Sequence, residues 1–297
     1  MSPDEYRALL ESWQLSLRAE RKSPQTLKAY TTGARQFLSW CTAQDLDPNL
    51  AKDTVTAFVA HLADVGREAA TVRSRQLSVR RFSAWLAEEG EIDRDELVGL
   101  KPPKLDIKVI KPLTDEELTA LLDACKGKEF RDRRDEALVR FMVECFVRAS
   151  EAVDMTIGQT SVSRGHAYIV RGKGGKGRSV FFGAQTGRAM DRYLRARRTH
   201  RLAGTDRFWL GDRGKGFTYW ALYYTLQYRA ELAGIAEFNP HRLRNTGATR
   251  WLAKGGSEGG LMALAGWATR DMIDRYTAAT ASERAAEEAR SLGLGDL

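Results

Sequence analysis

His241 and Arg244 stand three residues apart in the run Asn239-Pro240-His241-Arg242-Leu243-Arg244, so on a helix both side chains project from one face. Asn239 as a cap and Pro240 in the first turn predict that a helix starts there. An imidazole beside a guanidinium puts a proton carrier next to an anion clamp, a pairing suited to a phosphodiester. Further on come Gly266-Trp267 and, nine residues after Trp267, Tyr276. A tyrosine beside a bulky aromatic that excludes water has the makings of a nucleophile. Each piece also has a plain structural reading. A single His-x-x-Arg arises by chance in a basic chain, and Tyr276 alone reads as a half-buried aromatic at a helix end. The set gains force only if more cations stand upstream.

Two upstream stretches supply them. Arg148-Ala149-Ser150-Glu151 directly follows an apolar helix spanning roughly 134–146. Its arginine and glutamate, three apart, read either as a structural ion pair or as an arginine held at a cleft floor by the core behind it. Then Tyr168-Ile169-Val170 and Ser179-Val180-Phe181-Phe182 read as two short strands. The glycine-rich turn between them, 171–178, would present Lys173, Lys176 and Arg178 at a hairpin tip. That turn comes close to a phosphate-binding P-loop, Gly-x-x-x-x-Gly-Lys-Ser/Thr. However, Arg178 stands where the lysine belongs, and strand residues follow where a P-loop leads into a helix. A nucleotide hydrolase is therefore a remote reading. A basic hairpin reaching into a DNA groove fits better.

The elements that must position these groups are mostly helical. Residues 5–18, a helix opened by Ser23-Pro24, residues 53–64 and residues 71–89 read as four amphipathic helices. The last places Val72, Val79, Phe82, Trp85 and Leu86 inward and Arg73, Gln76 and Arg80 outward, with Arg73 and Arg80 read either as phosphate contacts or as plain solvated surface. Lys101-Pro102-Pro103-Lys104 cannot continue a helix and marks a boundary. This divides the chain into a helical domain over 1–100, a linker over 101–110 and a second domain over 111–297. Thr114-Asp115-Glu116-Glu117 then opens a new helix as a capping box. A basic helix at 184–201 reads as a largely solvated face. The helix at 219–233 turns Trp220, Leu222, Tyr223 and Leu226 to the core, and 282–290 reads as a short terminal helix. The expected fold is mainly α, an all-helical N-terminal domain followed by a mixed α+β domain with a small antiparallel sheet.

Composition narrows the partner. Residues 1–104 carry 15 basic and 15 acidic side chains, while residues 105–297 carry 32 and 24, so the whole net charge of +8 lies in the second part. A basic domain favours a polyanion, nucleic acid above all. The acidic start, Met1-Ser2-Pro3-Asp4-Glu5, does not read as a signal peptide, and no run of about 18 apolar residues could span a membrane. Cys41, Cys125 and Cys145 are too few and too far apart for a disulfide framework or a zinc site, which points to a reducing cytoplasm. No clustered carboxylates accompany the motifs to hold divalent ions, which argues against a metal nuclease.

In this order, Arg148-Ala149-Ser150-Glu151, Lys173 in its hairpin, His241-Arg242-Leu243-Arg244, Gly266-Trp267 and Tyr276 resemble the tyrosine recombinases, the phage integrase family. The helical first hundred residues, 23–40 in particular, look like that family's core-binding, SAM-like domain. The resemblance implies that Tyr276 attacks the scissile phosphate, leaving a 3′-phosphotyrosine and a free 5′ hydroxyl. It implies that Arg148 and Arg244 clamp the non-bridging oxygens, Lys173 is general acid for the leaving oxygen, His241 helps move the tyrosine's proton and Trp267 closes the site. A free tyrosine titrates near about pH 10, so converging cations are what such a nucleophile needs, with no metal or other cofactor. Implied partners are duplex DNA with inverted-repeat core sites and, on that DNA, a homotetramer formed from monomers, with or without a directionality factor.

The chain departs from the family pattern at two places. Asn245 stands where many members carry a second histidine, and Trp267 where many have histidine. A tryptophan packs and donates one hydrogen bond but carries no proton at neutral pH. Gly255 to Gly260 is glycine-rich where a helix-to-helix turn is expected. The separate arm-binding domain of larger phage integrases has no counterpart in this reading, which makes the chain a compact, simple type. Two rival readings stand beside this one: a type IB topoisomerase, which shares the chemistry but relaxes DNA as a monomer, and a DNA-binding regulator that keeps the fold without catalysis.

Overall fold

A computed structural model describes residues 2–105, 111–170, 177–269, 272–273, 286 and 289–290. Two units divide the chain, residues 1–108 and 109–297. The described part is mostly helical, with one small sheet. No described helix is long and apolar enough to cross a membrane.

The first unit packs four helices, α1 (Pro3–Ala19), α2 (Pro24–Ala43), α3 (Lys52–Asp64) and α4 (Ala69–Glu88). Their starts follow from capping chemistry. Ser2 accepts from the Glu5 N–H at 3.3 Å while Glu5 accepts from the Ser2 N–H, and Ser23 accepts from Thr26 N at 3.1 Å with Pro24 in the first turn. Trp13, Phe37, Phe58, Phe82 and Leu86 fill the core. Gly33 lets α2 approach α4, because a Cβ there would overlap the Ser78 side chain. On α4, Arg73 is exposed and Arg80 half-buried. Gln76, expected outside, is buried and donates to the Lys101 carbonyl at 3.1 Å. Helical spacing marks which positions share a face, but a long-range carbonyl decides that this amide turns inward.

The second unit begins with α5 (Asp115–Asp123), opened by the Thr114–Glu117 box: the Glu117 N–H reaches Thr114 Oγ1 at 3.1 Å and the Thr114 N–H reaches Glu117 Oε2 at 3.0 Å. There follow α6 (Phe130–Glu144), α7 (Ala149–Val153), β1 (Thr160–Ser161), β2 (His166–Ile169), β3 (Arg178–Phe181), α8 (Ala184–Arg197), α9 (Tyr219–Leu232), α10 (Pro240–Ala253) and α11 (Glu258–Ala265). The sheet is antiparallel in the order β1-β2-β3, with Ile169 opposite Arg178 and Ala167 opposite Val180. The two-residue β1 is too short for any periodic signal, and it extends the expected two-stranded hairpin to three strands. Leu138, Phe141 and Met142 of α6 are at the centre of the core, against Met190 and Tyr193 of α8, Leu222 and Leu226 of α9 and Leu243 of α10.

Several charged side chains are buried in this unit, among them Arg197 of the helix expected to be largely a solvated face. Asp135 of α6 takes Arg134 Nε at 2.9 Å and Arg229 Nε at 2.8 Å, and Arg229 also reaches Asp132 at 2.9 Å and the Ala124 carbonyl at 2.8 Å. Arg197, in the basic helix α8, is buried and donates to the carbonyls of Ala203, Thr205, Arg207 and Phe208. A guanidinium holding four carbonyls fixes the 203–208 loop, a role that composition cannot show. Conversely, Trp220 is 60% exposed, not part of the core. Leu222, Leu226, Arg229 and Ala230 define the inward face of α9, which leaves Trp220, Tyr224 and Tyr228 as a stripe on the opposite side.

Candidate active site

The site is assembled where three chain segments meet: the α6–α7 junction, the start of α10 and the end of α11. Helix α6 stops at Cys145, and Phe146 takes a left-handed conformation with φ +52°. A non-glycine residue there is strained, and such strain is held only where surrounding contacts dictate it. The bend delivers Arg148 as the residue capping α7. Glu151, in the first turn of α7, accepts from the Arg148 N–H at 2.9 Å and from Arg148 Nη1 at 2.8 Å. The Glu151 side chain is 2% exposed and that of Arg148 is 23% exposed.

Helix α10 starts as its sequence requires. Asn239 Oδ1 accepts from the His241 N–H at 3.0 Å, and Pro240 occupies the first turn. The helix is anchored by Arg242, which donates to the carbonyls of Lys111 at 3.1 Å and Ala236 at 2.9 Å. Thr246 adds to this by accepting the Leu113 N–H at 2.8 Å. Gly247 brings α10 against α6, for a Cβ there would run into the Val143 carbonyl and the Phe146 ring. So fixed, α10 aims Arg244 into the protein. Arg244 is 1% exposed and donates from Nη1 to the Phe146 carbonyl and from Nη2 to the Ala265 carbonyl at 2.7 Å, with its guanidinium carbon 5.3 Å from the Trp267 ring centroid.

Helix α11 supplies the third wall. Its last four carbonyls, orphaned in any helix, are all taken. Trp267 N reaches Met262 O at 3.0 Å, Gly266 N reaches Ala263 O at 3.4 Å, Arg178 Nε reaches Leu264 O at 2.7 Å and Arg244 reaches Ala265 O. Two cations at a helix C-terminus also suit its dipole. Gly266 is left-handed at φ +64°, and a Cβ there would press on Arg178, so glycine is required twice over. The turn at Gly266 swings Trp267 beneath Arg244, where it packs with Phe146, Leu261 and Ile273. Of the glycine-rich 255–260 stretch, residues 255–257 form the expected turn between α10 and α11, and residues 258–260 already open α11. Gly255 at φ +76° ends α10, Gly256 and Gly260 lie against the Trp251 ring, and Ser257 caps α11.

Burial alone would raise the Glu151 pKa, but the Arg178 hydrogen bonds, the Arg148 N–H and the two guanidinium charges outweigh it and leave the carboxyl below its usual range. His241, on the more open side of α10, is held below the ordinary 6.5, first by loss of water around the ring and then by the charges of Arg244 and Arg148. A depressed histidine pKa means a neutral ring at pH 7, able to accept a proton. Among the described residues, no group of three or more His, Cys, Asp or Glu could hold a metal ion.

Arg148, His241, Arg244 and Trp267 are thus brought together. Lys173, Lys176 and Tyr276 lie outside the described residues. Arg178 departs from expectation: it does not sit at a hairpin tip facing DNA but opens β3, with its guanidinium on Glu151 at 3.0 and 2.7 Å and its side chain 10% exposed. Arg73 and Arg80 belong to the other unit.

Comparison with known proteins places this geometry. Residues 111–283 match the phage integrase family, and residues 9–89 match the phage integrase N-terminal SAM-like domain. The chain belongs to the phage integrase family. A tyrosine recombinase XerD of Ralstonia nicotianae is 30% identical over 257 residues, 85% of this chain and 83% of the relative. Among solved structures, the XerH site-specific recombinase in a post-cleavage complex with palindromic difH substrate superposes with a TM-score of 0.75 at 19% identity, covering 98% of this chain and 84% of that one. A lambda integrase tetramer on a Holliday junction gives 0.69 at 15% identity, covering 89% and 77%. At these identities the structural likeness concerns the fold. The phage integrase match spans every site position from Arg148 to Tyr276.

Proposed function

We propose that this protein is a site-specific DNA recombinase that cuts and rejoins duplex DNA through a covalent 3′-phosphotyrosine. The observation that carries the reading is the convergence of Arg148, His241, Arg244 and Trp267 on one face of the basic unit, inside a phage integrase match. Arg148 and Arg244 hold the non-bridging oxygens, on which charge grows as phosphorus becomes five-coordinate. Tyr276 is the nucleophile. Its proton leaves towards neutral His241, and Lys173 returns one to the departing 5′ oxygen. Trp267 stiffens Arg244 and contributes no proton. The phosphotyrosine conserves the bond energy, so rejoining consumes no ATP.

In the same reading the protein acts in the cytoplasm on chromosomal or phage DNA. Both units contact the duplex, and four copies assemble on paired inverted-repeat sites. Arg73 and Arg80 of α4, and Lys176 from the sequence between β2 and β3, are assigned to phosphate contacts. DNA sites selected by binding from a random pool, then placed twice in one plasmid, test this function. Deletion or inversion between the two copies is the expected product. Relaxation of a plasmid lacking the sites would instead mark a type IB topoisomerase, and binding without any strand cleavage a silent regulator.

A further inference from the structure

The carboxylate of Glu151 is fully subscribed. Oε1 takes Arg148 Nη1 at 2.8 Å and Arg178 Nη1 at 3.0 Å, and Oε2 takes the Arg148 N–H at 2.9 Å and Arg178 Nη2 at 2.7 Å. Four donors match the four acceptor positions of an ionised carboxylate. Arg178 spends every nitrogen of its guanidinium here, since Nε goes to the Leu264 carbonyl at 2.7 Å. Arg148 spends only Nη1 of its side chain on Glu151, so Nε and Nη2 have no partner among the described residues.

The division of labour has a physical consequence. Glu151 is 2% exposed, and a carboxylate so buried draws in whatever cation is near. With Arg178 absent, two of its acceptor positions would open, and Arg148 is the neighbouring guanidinium able to fill them. A bidentate Arg148–Glu151 pair is strong and planar. It would convert the single side-chain contact that Arg148 now makes with Glu151 into a two-pronged one and turn its remaining nitrogens away from the phosphate. We propose that Arg178 is a positioning residue that sets the Arg148 guanidinium towards the scissile phosphate by occupying Glu151. The same side chain ties β3 to the end of α11, so it aligns the Arg148 and Arg244 walls together. This rests on the phosphate-clamp reading of Arg148.

The test compares single-turnover cleavage of a suicide duplex carrying either the normal phosphodiester or a methylphosphonate at the scissile position. A methylphosphonate lacks the anionic oxygen, so it needs no guanidinium to neutralise charge. Arg178→Ala is expected to slow cleavage of the phosphodiester about 100-fold, the scale of a small misplacement of a reacting group, and to leave methylphosphonate cleavage nearly unchanged. Arg148→Ala should show the same substrate dependence, and the double variant should be no slower than Arg148→Ala alone. Arg178→Lys, which keeps one charge but loses the fork, should fall between wild type and Arg178→Ala. Equal slowing on both substrates, multiplying effects in the double variant, or unfolding of both Arg178 variants would mean that Arg178 is only a structural tie. If Arg148→Ala itself lacks the substrate dependence, the clamp assignment is what fails, and the positioning role falls with it.

Discussion

Arg244→Ala is expected to lower the rate of strand cleavage by about 1,000-fold or more, the scale of losing a preorganised donor or an arginine from phosphoryl chemistry. Arg244 is 1% exposed, so its charge is poorly screened by water and acts strongly on an anion docked against it. It donates to the neutral carbonyls of Phe146 and Ala265, which orient the guanidinium without cancelling its charge. Trp267 stacks on it at 5.3 Å and restricts its rotation. Arg244→Lys should recover little, because an ammonium cannot reproduce the fork that spans two carbonyls and a phosphate. Single-turnover cleavage of a suicide duplex measures the loss, and gel-shift affinity should change far less. A variant that cleaves within about 10-fold of wild type, when one donor alone is normally worth more, would remove Arg244 from the transition state.

Asp135→Ala is expected to destabilise the second unit by about 3–5 kcal/mol, the cost of breaking a buried ion pair from one side. The carboxylate is 2% exposed and bridges Arg134 and Arg229, so its removal strands two guanidiniums whose remaining partners are carbonyls, Asp132 and Asp212. Those arginines tie α6 to α9 and to the 210–212 loop. Amide hydrogen exchange separates the two units. Protection in α6, α8 and α9 should fall steeply while α1 to α4 keep theirs. Unchanged protection in α6 and α9 would show that the network contributes nothing net.

The legibility of the chain follows the range of the forces involved. Helix starts at Ser23-Pro24, Thr114-Asp115-Glu116-Glu117 and Asn239-Pro240 were readable because a cap satisfies N–H groups two or three residues away. The helical character, the small antiparallel sheet and the phage integrase match follow the same local patterns. His241, Arg244, Gly266 and Trp267 were readable as a set because spacing along one helix and one turn relates them. What periodicity misreads is the fate of individual long side chains. Arg178 looked like a groove-reaching cation and is instead pinned by Glu151, 27 residues earlier, and by Leu264, 86 residues later. Arg197 and Gln76 were drawn inward by carbonyls that no local pattern reveals, and Trp220 was left outside because Leu222 and Leu226 own the inner face of α9. Gly256 and Gly260 became intelligible only with the Trp251 ring beside them.

Digestion of the trapped protein–DNA adduct and mass mapping of the modified peptide test the central chemistry most directly. The predicted result is a single 3′-nucleotidyl phosphotyrosine at Tyr276, no adduct from Tyr276→Phe, and DNA binding by that variant at wild-type strength. An adduct on another residue, or normal trapping by Tyr276→Phe, would contradict the assignment.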